Sequence, residues 1–196
     1  GMVFGLALSA AGLAFLVFVN SLTLALGAAS LSTYVLVYTP LKRITSLSTV
    51  VGAVPGALPP LMGWAAARGS LGSAGLGLFA ILFLWQLPHF LAIGWLYRDD
   101  YARGGFPMLA VTDPDGSSTG RQSVLYATAL LPVTLAAGLL ASAGNGYLWG
   151  ALFLGGAFLG CAAAFAWRRT AAAARLLFFA SVLYLPLVLG LMVFDR

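Results

Sequence analysis

Seven stretches of largely apolar residues follow one another along this chain with only short interruptions, near residues 2–19, 21–38, 50–67, 74–97, 123–142, 147–166 and 174–194. A helix needs about 20 mostly apolar residues to cross the hydrocarbon of a bilayer. In that solvent every backbone N–H and C=O must be satisfied within the segment itself. The repeating runs therefore predict an all-α fold, a polytopic transmembrane bundle of about seven spans. Composition excludes the soluble alternative. With 61% apolar and 8% charged residues and a mean hydropathy of +0.99, the chain has too little polar surface to shield a core from water.

The connections alternate in character. Those after the first, third and fifth runs are tight and turn-forming: Asn20-Ser21, Arg68-Gly69-Ser70 and Gly144-Asn145-Gly146. Those after the second, fourth and sixth are basic, with Lys42 and Arg43, then Arg98, Arg103 and Arg121, then Arg168, Arg169 and Arg175, eight of the ten cationic residues. The positive-inside rule puts this richer face in the cytoplasm, with Gly1 on that side and Arg196 outside. The net charge of +5 is thus topogenic and implies no nucleic-acid partner. The 24 glycines and nine prolines suit close helix packing in lipid. The single Cys161 lies within an apolar run and cannot form an internal disulfide. The opening Gly1-Met2 reads as a cut point or cloning remnant, and the first run has no basic lead of the kind a secretory signal carries. No solenoid repeat or linker interrupts the chain, so 1–196 reads as a single domain.

Polar groups that could carry chemistry are few. Four of the five acidic residues, Asp99, Asp100, Asp113 and Asp115, occupy the loop from 98 to 122. Topology needs no carboxylates there, whereas holding a divalent cation against phosphate oxygens needs hard oxygen ligands. Asp113-Pro114-Asp115-Gly116 reads more simply as a solvated turn with a helix-capping Asp. Asp99 and Asp100, at the end of a span beside Arg98 and ahead of Tyr101-Ala102-Arg103-Gly104-Gly105-Phe106-Pro107, favour the functional reading. Lys42 and Arg43 form either a stop signal or an anion clamp in which a point charge and a forked guanidinium meet phosphate oxygens. Gln86 and His89 lie three residues apart inside the fourth run, and polar groups are expensive there, so the two are expected to face inward together. His89 alone is a poor metal site, because no Cys/His cluster accompanies it.

Three blocks then carry a resemblance: YTPLKRIT with GAVPGALPPLMGWAA (38–45 and 52–66), WQLPHF (85–90) and YRDDYARGGFPML (97–109). In order and spacing they resemble the signature blocks of the protohaem IX farnesyltransferases (haem O synthases) of the intramembrane aromatic-prenyltransferase superfamily. The resemblance implies a bundle of nine spans around a cavity open to the cytoplasm and to lipid, in a bacterial inner membrane. It implies transfer of a farnesyl group from farnesyl diphosphate to a vinyl group of haem B, with addition of water, to make haem O. It implies Mg2+ and diphosphate held by Asp100, with Asp99 and Arg98 beside them and Tyr101 in the substrate site. Lys42 and Arg43 would stabilise the leaving group, and Gln86 and His89 would line the cavity. A haem A synthase or a terminal oxidase assembly is the implied protein partner.

The chain departs from that pattern at three places. The family's first motif, an Asn- and Asp-bearing segment before a basic stretch, has no match, which agrees with seven spans against nine and leaves half of the metal ligands unaccounted for. Gly104 stands four residues after Asp100, where relatives with other acceptors carry Asp, as suits the haem branch. Ser48 stands where the pattern has Asn. Two rival readings remain: a prenyltransferase acting on a quinone or chlorophyllide, expected to carry fuller Asp-rich motifs and no WQLPHF, and a transporter or channel subunit. The transporter predicts broken helices with mid-membrane polar groups, whereas the charges here collect at one face.

Overall fold

The computed structural model describes residues 2–195, so the sidedness expected for Gly1 and Arg196 lies outside the described residues. No strand occurs among them; the chain folds as helices α1 (Met2–Val17), α2 (Ser21–Ser32), α3 (Thr39–Leu41), α4 (Ser48–Arg68), α5 (Ser73–Leu96), α6 (Arg98–Arg103), α7 (Leu109–Thr112), α8 (Ser117–Leu140), α9 (Asn145–Arg168) and α10 (Ala171–Phe194). A π-helical turn, Thr33–Tyr38, joins α2 to α3 and makes one continuous helix, Ser21–Leu41. Six of the helices are long and apolar enough to cross a bilayer, and this is a multi-pass membrane protein. The first expected span differs: α1 has 16 residues and rises only ~24 Å, short of the ~30 Å hydrocarbon core. The fifth begins six residues earlier than its apolar run, at Ser117, because the polar segment Ser117–Gln122 also winds into helix.

Packing centres on α5, which touches α4, α8 and α10, while α1 and α2 stack outward from α4. Lipid supplies no hydrophobic drive between helices, so close approach through small residues supplies the contact. A Cβ on Gly120 of α8 would lie 2.6 Å from the Ala166 backbone of α9, and one on Gly77 of α5 would lie 2.9 Å from the Ala137 methyl of α8. Large rings fill the remaining space: Tyr147, Phe158, Phe165 and Tyr184 are buried, and Tyr184 hydrogen-bonds to Thr134 (2.8 Å). Bulky apolar side chains such as Phe15, Phe153, Trp167 and Phe179 point outward, as lipid permits.

Helix α4 contains Pro55, Pro59 and Pro60 without breaking. Each proline withholds a donor from the carbonyl four residues before it, and a neighbouring helix repairs one such loss. The Pro55 carbonyl, which Pro59 cannot serve, accepts from the Ser30 hydroxyl of α2 (3.3 Å). Pro40 accounts for the π-turn in the same way. It cannot donate to Leu36, and the helix widens ahead of it, with the Thr39 N–H reaching back to Tyr34.

The second Asp pair is structural. Asp113 is buried, and its carboxylate accepts from the Thr119 N–H (2.7 Å) and hydroxyl (2.8 Å), capping the first turn of α8. Burial alone would push its pKa up, but these donors outweigh that and hold it below the ordinary carboxylate value. Asp115 faces Arg169 at 3.5 Å and so ties this loop to the α9–α10 turn. The expected solvated turn is therefore a docked one.

Candidate functional site

A large cavity of about 890 Å3 runs between α1, α2, α4 and α5 and reaches the basic face at Tyr101 and Met108. The π-turn sets two tyrosines on its wall, since Tyr34 and Tyr38 both line it with ring centroids 5.1 Å apart. On the facing wall, glycines of α4 make room. A Cβ at Gly52 would lie 2.7 Å from the Tyr38 ring, and one at Gly56 would lie 2.5 Å from Gln86 Oε1. Gln86 of α5 is 5% exposed and lines the cavity. Its Nε2 donates to the Ala53 carbonyl (2.7 Å), which leaves its Oε1 on the Gly56 side.

At the basic face, the segment after α5 folds back on itself. Gly105 adopts φ +70°, a left-handed conformation that glycine enters without steric cost, and the Phe106 N–H then bonds the Tyr101 carbonyl (3.0 Å). This places the Phe106 ring edge-on to Tyr101, which itself lines the cavity. Lys42 joins them from the end of α3, with Nζ 5.7 Å from the Tyr38 and Phe106 ring centroids alike. A lysine stem between two aromatic faces keeps its ammonium near the mouth.

The remaining expected residues divide. Asp100 is exposed and pairs with Arg103, one turn along α6. Asp99 is exposed, lies 3.8 Å from Arg98, and shares with it a separate recess of about 250 Å3 that also touches Pro114. The Arg98 guanidinium covers the Trp95 ring at 4.6 Å. Arg43 is exposed and forms no ion pair with the described residues. His89 departs from expectation, because it does not line the cavity with Gln86. Its Nδ1 meets the Ser181 hydroxyl of α10 at 2.7 Å, and its ring stacks between Trp85 and Phe178. Three residues leave the two side chains about 60° apart around the helix axis, and because α5 packs against both α4 and α10, Gln86 reaches the one and His89 the other.

Among the described residues no group of three or more His, Cys, Asp or Glu side chains could hold a metal. Asp99 and Asp100 still match, in kind, the donor set that Mg2+ uses with phosphorylated substrates, namely one or two carboxylates completed by phosphate oxygens and water. Tyr34, Tyr38, Gly52 and Gly56 were not singled out individually from the sequence. The four-residue spacing of the two glycines, small residues on one helix face, was the available signal. Ser48 is buried with its hydroxyl unpartnered and stands at the start of α4, away from the cavity lining.

Comparison with known proteins adds an independent line. The protein named protoheme IX farnesyltransferase of Solibacter usitatus is 53% identical over 196 residues, covering all of this chain and 67% of that protein. Its namesake in Koribacter versatilis is 46% identical over all of this chain and 66% of that protein, and the one in Salinibacter ruber is 48% identical over 83% and 57%. The chain thus spans about two thirds or less of the length of these relatives. No solved structure matches it. An all-helical membrane bundle, a cavity whose wall residue Tyr38 carries the Lys42 ammonium over its ring, and a match over residues 1–183 converge on one assignment: the chain belongs to the UbiA prenyltransferase family.

Proposed function

We propose that the complete protein transfers a farnesyl group from farnesyl diphosphate to a vinyl group of haem B, with addition of water, to yield haem O. The observation that carries this reading is 53% identity, along the entire chain, to a protein named protoheme IX farnesyltransferase. The cavity supports it. Its volume, about 890 Å3, lies toward the upper end of small-ligand sites, roughly 300–1,000 Å3, and its wall is mostly apolar with a few polar groups.

In this reading the diphosphate sits at the basic face, on the cytoplasmic side of a bacterial inner membrane. Lys42, held between Tyr38 and Phe106, supplies a positive charge where negative charge grows on the leaving oxygen, and Arg43 adds a forked donor. Asp100 and Asp99 would hold Mg2+, which when bound neutralises the diphosphate oxygens. Asp100 would exchange Arg103 for that role, an easy exchange for an exposed pair. Arg98 orients Asp99, and Tyr101 lines the path between the charged mouth and the apolar interior. Departure of diphosphate leaves an allylic cation, the terminal vinyl carbon bonds to it, and water captures the new cation beside the porphyrin and gives up a proton to solvent to leave the hydroxyl. Gln86 offers an acceptor within the cavity, while His89 acts through the α5–α10 contact. Delivery of the product to a haem A synthase or a terminal oxidase assembly completes the proposal.

The test is mass analysis of haem extracted from membranes that contain the full-length protein, incubated with haem B, farnesyl diphosphate and Mg2+. Haem that gains farnesyl plus water, and loses the gain in Asp100→Asn, supports the reaction and the role of Asp100. Unmodified haem from the intact protein overturns the assignment.

A further inference from the structure

We propose that the deep end of the cavity, formed by Leu16 of α1, Gly27 of α2 and Met62 of α4, is a length gauge that selects the isoprenoid chain. The inference rests on the prenyl-transfer reading and deepens it by naming what sets the donor. Thr49 and Met62 both line the cavity, thirteen residues apart on α4. At 1.5 Å per residue this makes the cavity ~20 Å long from mouth to floor. A twelve-carbon farnesyl backbone reaches roughly 14 Å from standard carbon–carbon bond lengths, and the diphosphate occupies the rest at the charged mouth. One further isoprene unit adds about 5 Å, by the same bond lengths, and would run into Met62.

The floor is built tightly. Gly27 is buried, and a Cβ there would lie 2.5 Å from Leu16 Cδ1 and 3.2 Å from Met62 Cε, so the glycine lets both side chains close in over it. Beyond them the α1–α2 turn is fastened to α4. The Asn20 amide donates to the Ala65 carbonyl (3.0 Å), and its oxygen accepts from the Thr23 N–H (2.8 Å). The helices at this end therefore cannot spread cheaply to admit a longer chain. Truncating Met62 to alanine removes three heavy atoms, close to the depth of one isoprene unit, whereas a larger ring at that position shortens the space.

The experiment gives membranes containing the full-length protein an equimolar mixture of geranyl, farnesyl and geranylgeranyl diphosphates with haem B and Mg2+. Mass analysis then reads the chain lengths attached to haem. Because a methylene in an apolar pocket is worth about tenfold or more in discrimination, Met62→Ala is expected to raise the ratio of C20 to C15 product by about tenfold. Met62→Phe is expected to shift the ratio toward C10. Leu16→Ala, on another helix, is expected to act like Met62→Ala and serves if the first variant fails to fold. Calorimetric binding of farnesyl and geranylgeranyl diphosphate to the purified protein reads the same preference without any acceptor. Farnesylated haem with product and affinity ratios unmoved in the variants overturns the gauge and leaves the reaction standing. Shifted affinity ratios without modified haem leave the gauge standing and overturn the choice of acceptor.

Discussion

Replacing Asp113 with alanine strips two short hydrogen bonds from the start of α8, at 2.7 and 2.8 Å, and leaves Thr119, which is 0% exposed, without an acceptor for its hydroxyl. An exposed cap of this type contributes about 0.5–2 kcal/mol. Burial of the orphaned hydroxyl places the expected loss at or above the upper end, about 2 kcal/mol or more. For a chain of this size that corresponds to a fall of roughly 4–8 °C in melting temperature. Thermal unfolding in detergent, followed by loss of the monodisperse species, reads the change, and Asp113→Asn, which keeps one acceptor oxygen, is expected to fall between. The pH dependence supplies a second check. The native carboxyl titrates below its ordinary value, so the stabilisation is complete above the unfolded pKa, about 4, and is lost as pH falls through the native one. The gap between wild type and Asp113→Ala should be constant from neutrality down to about pH 4 and close below it. A mutant that melts like the wild type, or a gap unchanged in acid, would refute the capping argument.

Phe106→Leu removes one of the two rings flanking Lys42. Loss of a cation–π contact worth about 0.5–1 kcal/mol predicts a two- to fivefold rise in KM for the prenyl diphosphate with little change in kcat, measurable by steady-state transfer. Gly120→Ala drives a methyl to 2.6 Å from the Ala166 backbone and should cost about 1–3 kcal/mol in detergent melts. Gly160→Ala, where nothing lies within 4 Å, should be neutral or stabilising in the same melts.

Much of this molecule was legible along the chain because lipid simplifies the reading. Backbone groups must be paired locally, so each apolar run becomes a helix regardless of its partners, and spans two to seven, the start of the fifth excepted, emerge within a few residues of their sequence boundaries. The start of α8 at Ser117 was missed because its first turns are polar and hydropathy is blind to them. The signature blocks similarly announced the family, and within them Gln86 lines the cavity as expected, since residue order is a property of the chain itself.

What the chain alone could not decide was which side chains meet. Gln86 and His89 share a helix and a motif, yet one enters the cavity and the other stacks against α10, because the helix is flanked by different neighbours on its two sides. The sequence reads Asp113 and Asp115 as a turn with a capping Asp, but only the folded chain supplies their partners, Thr119 for the one and Arg169 for the other. The cavity belongs wholly to tertiary structure. Its room depends on Gly27, Gly52 and Gly56 facing Leu16, Tyr38 and Gln86 from other helices, and such distances follow from interhelical packing, which no local pattern of hydropathy encodes.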